Sequence, residues 1–114
     1  MHLIRAELAA DEPSRMQGLM FRKSLRQNDG MLFVFDEATT HCMWMRNTLI
    51  PLSVAFLDAS AQIVNIADMT PQSEESHCAS RPARYALEMR RGWFAERGIG
   101  PGSAIRGIAA PARK

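Results

Sequence analysis

Seven consecutive residues, His41-Cys42-Met43-Trp44-Met45-Arg46-Asn47, carry an imidazole, a thiol, two thioethers, an indole, a guanidinium and a carboxamide. A surface loop has no need of that mixture, and a core strand does not tolerate it. Three chemistries are open to it. Imidazole and thioether groups at His41, Met43 and Met45 suit a soft metal ion such as Cu(I), although methionines are also the usual fillers of irregular cores. Cys42 or Cys78 with His41 or His77 offers a thiol nucleophile and a base. Each histidine directly precedes its cysteine, so on a strand the two side chains point to opposite faces, and no third orienting group is evident. The third chemistry is ligand binding. Arg46 and Asn47, joined by Arg15 and Arg22 from an upstream helix, would read a carboxylate or phosphate, and Trp44 would stack on a sugar or a planar group.

A helix and a strand must lie side by side to bring these residues together. Asp11 suits a helix N-cap and Pro13 the first turn, where its missing N–H goes unused. The spacing predicts a helix over about 12–24, with Met16, Leu19 and Met20 as its apolar stripe and Lys23 laid along it. Arg15, Gly18 and Arg22 share another face. A glycine costs a helix about 1 kcal/mol against alanine. Gly18 therefore points to close approach of a backbone or a ligand between two guanidiniums. The plainer reading is that Arg15 and Arg22 are solvated or paired with carboxylates.

Alternation predicts an opening strand over 2–9 and the pivotal strand over about 40–46, with Cys42, Trp44 and Arg46 on one face and His41, Met43, Met45 and Asn47 on the other. The apolar run Met31–Phe35, after an Asp29-Gly30 turn, reads as a strand buried on both faces. Leu52–Leu57 and Ile63–Ala67 read as a hairpin, Tyr85–Met89 as a strand with Tyr85, Leu87 and Met89 inward, residues 92–97 as a short helix closed at Gly98, and 103–109 as a last strand before a tail. The polar stretch 68–83, with two prolines, is the segment expected to be most mobile.

At 114 residues the chain is expected to be one domain, residues 1–114, able to bury a core without disulfides or metal, and no cofactor is expected. A net charge of +2 gives no case for nucleic acid or a membrane surface as partner. The first residues lack the apolar run of a signal peptide, so a cytoplasmic location is expected. Two cysteines are too few for a disulfide scaffold, and both are expected to be reduced and independent. Gly-rich phosphate loops, paired carboxylates and recognisable triads are not found.

Arg15-x-x-Gly18-Leu19-Met20-Phe21-Arg22, Gly30-Met31-Leu32-Phe33-Val34-Phe35, Trp44-Met45-Arg46-Asn47-Thr48-x-x-Pro51-Leu52, Arg84-Tyr85-x-Leu87-Glu88, then Gly98-Ile99 and Gly102 follow in order over nearly the whole chain. This pattern resembles domain-of-unknown-function family 192, also called the UPF0127 family. The resemblance implies a compact α+β domain with a curved, barrel-like, mainly antiparallel sheet, one N-terminal and one short C-terminal helix, in bacterial and archaeal proteins of which some are exported. It implies no activity. The chain departs from the family pattern at Met43, usually Phe, and at Ser53, usually Asp. A tyrosine often found after the second cysteine is also absent, with Ser80 and Arg81 nearby instead. If that Asp were a base or metal ligand, this chain lacks it.

The leading expectation is a module that binds a small anionic or sugar-like molecule through Arg15, Gly18, Arg22, Trp44, Arg46 and Asn47, with Glu88 as an ion-pair partner that orients an arginine. The alternatives are an enzyme using Cys42, His41 or Glu88, and a protein-interaction module.

Overall fold

The computed structural model describes residues 2–108. Five strands form the main sheet: β1 (Arg5–Ala9), β2 (Asp29–Thr39), β7 (Ala83–Arg90), β4 (Leu52–Leu57) and β5 (Ile63–Met69), in that spatial order. β1 runs parallel to β2 and every other pairing is antiparallel. β1 and β5 are the two edges, so the sheet is open and the expected barrel-like closure is corrected. A separate two-stranded sheet joins β3 (Cys42–Met43) to β6 (His77–Cys78), and two short helices, α1 (Glu12–Gln17) and α2 (Trp93–Glu96), complete the fold.

The central strands explain themselves by composition. All six residues of β4, Leu-Ser-Val-Ala-Phe-Leu, are buried, as expected of a strand covered on both faces. One face of the sheet packs Met31, Phe33, Phe35, Val54, Phe56 and Ala86 beneath Leu19 and Met45. The other packs Leu57, Tyr85, Leu87 and Met89 beneath Trp93 and Phe94 of α2. β7 is thus buried towards both layers: Tyr85, Leu87 and Met89 face inward as expected, and Ala83, Ala86 and Glu88 are buried on the other face. Ser53, at the position where the family usually has Asp, ties three elements together. Its hydroxyl donates to Asp68 on β5 at 2.6 Å and accepts from the Gly92 backbone N–H at 3.0 Å.

Several boundaries differ from the sequence reading. Asp11 does cap α1, accepting from Ser14 N–H at 2.8 Å, and a proline stands in the first turn. The helix stops at Gln17 instead of running to about residue 24. Gly18 ends it at φ 50°, and a Cβ there would lie 3.3 Å from the Phe33 ring, so turn geometry and close approach both require the glycine. Gly30 serves no positive-φ turn. It opens β2, and a side chain there would run into the Glu88 carbonyl and the Met89 sulfur. The pivotal strand shrinks to Cys42–Met43. Residues 103–108 make only an isolated bridge between Gln62 and Ala104, and the remainder of that expected strand, Ala109, and the tail lie outside the described residues.

Cys42 and Cys78 face each other across β3 and β6 and are joined by a disulfide. The expectation of two reduced thiols is therefore corrected. The segment 68–83 folds back over β3, where Ala79 N–H donates to His41 C=O and Met45 N–H to Ser73 C=O, both at 2.9 Å. That return brings together two cysteines 36 residues apart.

Candidate functional site

A cavity of about 90 Å³ opens between the end of α1 and the residues of β3. Met16, Leu19 and Met20 form one wall, Cys42, Met43 and Trp44 the other, and Phe33, Thr48 and Glu88 lie at its base; Arg15, Gln17 and Gly18 complete the lining. A backbone clasp fixes the two walls: Phe21 N–H donates to Asn47 C=O at 2.8 Å. Both residues adopt left-handed conformations, at φ 65° and 56°. For Asn47 that is ordinary, whereas for Phe21 it is strained.

Four of the seven expected site residues, Arg15, Gly18, Trp44 and Glu88, line this cavity; Arg22, Arg46 and Asn47 do not. Arg46 lies just outside, its guanidinium 5.5 Å from the Trp44 ring centre. Asn47 contributes its backbone to the clasp. Arg22 makes a two-point pair with Glu7 at 2.6 and 2.7 Å, which lowers the Glu7 pKa and raises its own. Arg15 is committed too. One terminal nitrogen donates to Ala10 C=O at 2.8 Å and Val34 C=O at 2.9 Å, and the other pairs with Asp36 at 3.2 Å. The anion fork flanking Gly18 is thus not formed, and the plainer reading of paired arginines holds: Arg15 clamps α1 to Ala10 and to β2, while Arg22 pairs with Glu7 of β1 at the surface.

Glu88 differs most from its expected role. It is 4% exposed and makes no ion pair among the described residues, so it orients no arginine. Its strand neighbours in register are Met31 and Val54. Burial alone pushes its carboxyl up to about 8, with no hydrogen bond or charge pulling it back. Among the described residues no side-chain polar atom is both fully occluded and unpaired. The unpartnered Glu88 oxygens must therefore reach open space, and the space beside them is this cavity. With burial pushing it up to about 8, the Glu88 carboxyl favours its protonated form at neutral pH, with one O–H to give and a carbonyl oxygen to accept.

The other candidate chemistries do not assemble. His41 stacks on Phe35 with ring centres 3.7 Å apart and its Nε2 lies 2.9 Å from Glu37 C=O. Met45 is fully buried. Both thiols are spent in the disulfide. A second depression, of about 310 Å³, is lined by Gln27, Arg90, Arg91, Trp93 and Glu96 on the far end of β7.

Compared with known families, residues 1–107 match the one described as "Uncharacterized ACR, COG1430", domain-of-unknown-function family 192. The chain belongs to this family. Two solved structures of family-like fold carry the comparison further. One is a candidate transcription regulator from Sinorhizobium meliloti 1021, 38% identical over 85% of this chain and 76% of its own, with a TM-score of 0.83. The other is a protein of unknown function from Novosphingobium aromaticivorans DSM 12444, 37% identical over 89% of this chain and 73% of its own, with a TM-score of 0.86. No curated protein matches. Family 192 is a family of uncharacterised proteins, so the cavity has to be read from its own chemistry. Among the described residues no helix is long and apolar enough to cross a membrane.

Proposed function

We propose that this member of family 192 is a small-ligand binding module whose site is the cavity between α1 and β3. One observation carries the reading: a carboxyl more than nine-tenths buried, with no hydrogen-bond or ion-pair partner among the described residues, lines the cavity. Buried polar groups are almost always hydrogen-bonded, and the Glu88 oxygens, unpaired among the described residues, take their partner from whatever occupies the cavity.

The chemistry favours an uncharged ligand. An anion loses support, since Arg15 and Arg22 are already bonded within the chain and the base of the cavity is an acid. An uncharged polar group, the sugar-like class among them, keeps support through the Glu88 hydroxyl and the half-exposed Trp44 ring. An enzyme using Cys42 or His41 loses support because both groups are engaged elsewhere. The interaction-module reading keeps one specific observation in its favour: Met16 and Phe21 are each 65% exposed and Trp44 40%, an apolar fringe around the cavity. The disulfide supports an oxidising compartment over the cytoplasm.

Methyl NMR on carbon-13 methionine tests the binding reading. Uncharged fragments are expected to shift Met16, Met20 and Met43, which line the cavity, and to leave Met89, buried in the opposite layer of the sheet with Trp93 and Phe94, unmoved. A fragment library that leaves all three pocket methyls still would remove the proposal.

A further inference from the structure

Resting on that binding reading, we infer the ligand's class: a planar, largely apolar ring presenting one amide-like edge, with an N–H beside a C=O, to Glu88. Three features of the cavity lead there.

The first is hydrogen-bonding capacity. The lining side chains with capacity to spare are Glu88, the exposed Gln17, the Arg15 N–H groups beyond its three bonds, and the Thr48 oxygen as an acceptor, since the Thr48 hydroxyl already donates to Arg46 C=O at 3.2 Å. A buried sugar ring would bring more hydroxyls than these groups can match, and each unmatched one is costly. An amide edge asks for one acceptor and one donor, side by side. A protonated carboxyl is that pair.

The second is the walls. Methionine thioethers, the Leu19 and Phe33 side chains and the Trp44 indole present apolar, polarisable surface, which suits the faces of a flat ring.

The third is size. Whole small-molecule pockets run to roughly 300–1,000 Å³, and an apolar cavity of about 150 Å³ accepts a benzene ring. At about 90 Å³ this cavity takes the leading edge of a ring and leaves the rest at the mouth beside Trp44.

Charge separates this ligand from its nearest competitors. An amidinium would need Glu88 ionised, and would enter past the cationic side chains of Arg15 and Arg46. A carboxylate would take the one O–H that Glu88 offers but would set its second oxygen against the Glu88 carbonyl oxygen, where an amide edge brings an N–H.

The test uses the oxidised full chain at pH 6 and five probes: 2-pyridone, benzamide, benzamidine, benzoate and a methyl glucoside. Binding is read from the Met16, Met20 and Met43 methyl shifts. 2-Pyridone and benzamide are expected to bind at least tenfold more tightly than the other three. Glu88→Gln, which still has a donor beside an acceptor, is expected to retain both amides within about threefold, and Glu88→Leu to lose them. The wild-type ranking needs no variant to fold. Benzamidine binding best would make the site a cation site, benzoate an anion site and the glucoside a sugar site, and any of these overturns the inference while leaving a binding module. If none of the five moves the methyls the inference falls, and a broader library that also fails takes the binding reading with it.

Discussion

Replacing Glu88 with glutamine removes the ionisable proton and leaves the shape of the side chain almost unchanged. In the folded protein burial raises this carboxyl from 4.5 to about 8. The sign follows from proton binding. Between those two values the folded chain holds a proton that the unfolded chain has released, so stability falls as pH rises. The contribution is fully present below about pH 4.5, is lost through the interval and levels off above about pH 8. Each pH unit in the window is worth about 1.4 kcal/mol. Glutamine does not titrate, so the stability of Glu88→Gln relative to wild type is expected to improve by about 2–3 kcal/mol between pH 5 and pH 7. Urea unfolding of the oxidised proteins at those two pH values reads this directly. With slopes of about 1–3 kcal/mol/M, the gap between midpoints should widen by about 1 M or more. A gap independent of pH would mean that Glu88 titrates as in water or has a charged partner, and the reasoning about the cavity would be refuted.

Reducing the disulfide, or replacing both cysteines by serine, releases a loop spanning 36 residues. Chain-entropy reasoning puts the cost at about 4 kcal/mol, visible as a lower unfolding midpoint, and thiol titration of the native protein should find no free thiol. Arg15→Ala leaves the Ala10 and Val34 carbonyls unpaired and is expected to cost about 1–3 kcal/mol. Arg22→Ala breaks only a solvent-screened pair and is expected to cost less than about 1 kcal/mol; the opposite order would refute the division into clamp and surface pair. Phe21→Gly relieves a strained backbone at an exposed side chain and is expected to be neutral or to stabilise by about 1 kcal/mol in thermal unfolding.

The sequence was most legible where local chemistry decides the outcome. The Asp11 cap, the β4–β5 hairpin and the position of α2 follow from residue types within one element. It was least legible where distant segments meet. Gly18 does mark a close approach, but the approaching group is Phe33 from β2, and the turn it makes cuts the helix to about half a typical domain helix's length. Arg15 and Arg22 were placed near the site, yet nothing local says that Val34 C=O and Glu7 lie within reach. Cys42 and Cys78 gave no pairing signal because only the fold-back of 68–83 aligns them. Glu88 was the hardest case. From the sequence Glu88 reads as a site residue that pairs with an arginine, because an acid opposite the inward Tyr85, Leu87 and Met89 is free to meet a charge. The missing fact is that β7 is central and covered on both faces, which turns an ordinary surface carboxylate into an unpartnered acid inside a cavity.

Carbon-13 NMR of the Glu88 side-chain carboxyl, followed through a pH titration of the ligand-free protein, tests that point most directly. A midpoint near 8 is expected if the carboxyl is desolvated and unpartnered at the base of the cavity. A midpoint at the ordinary glutamate value, near 4.5, would contradict it.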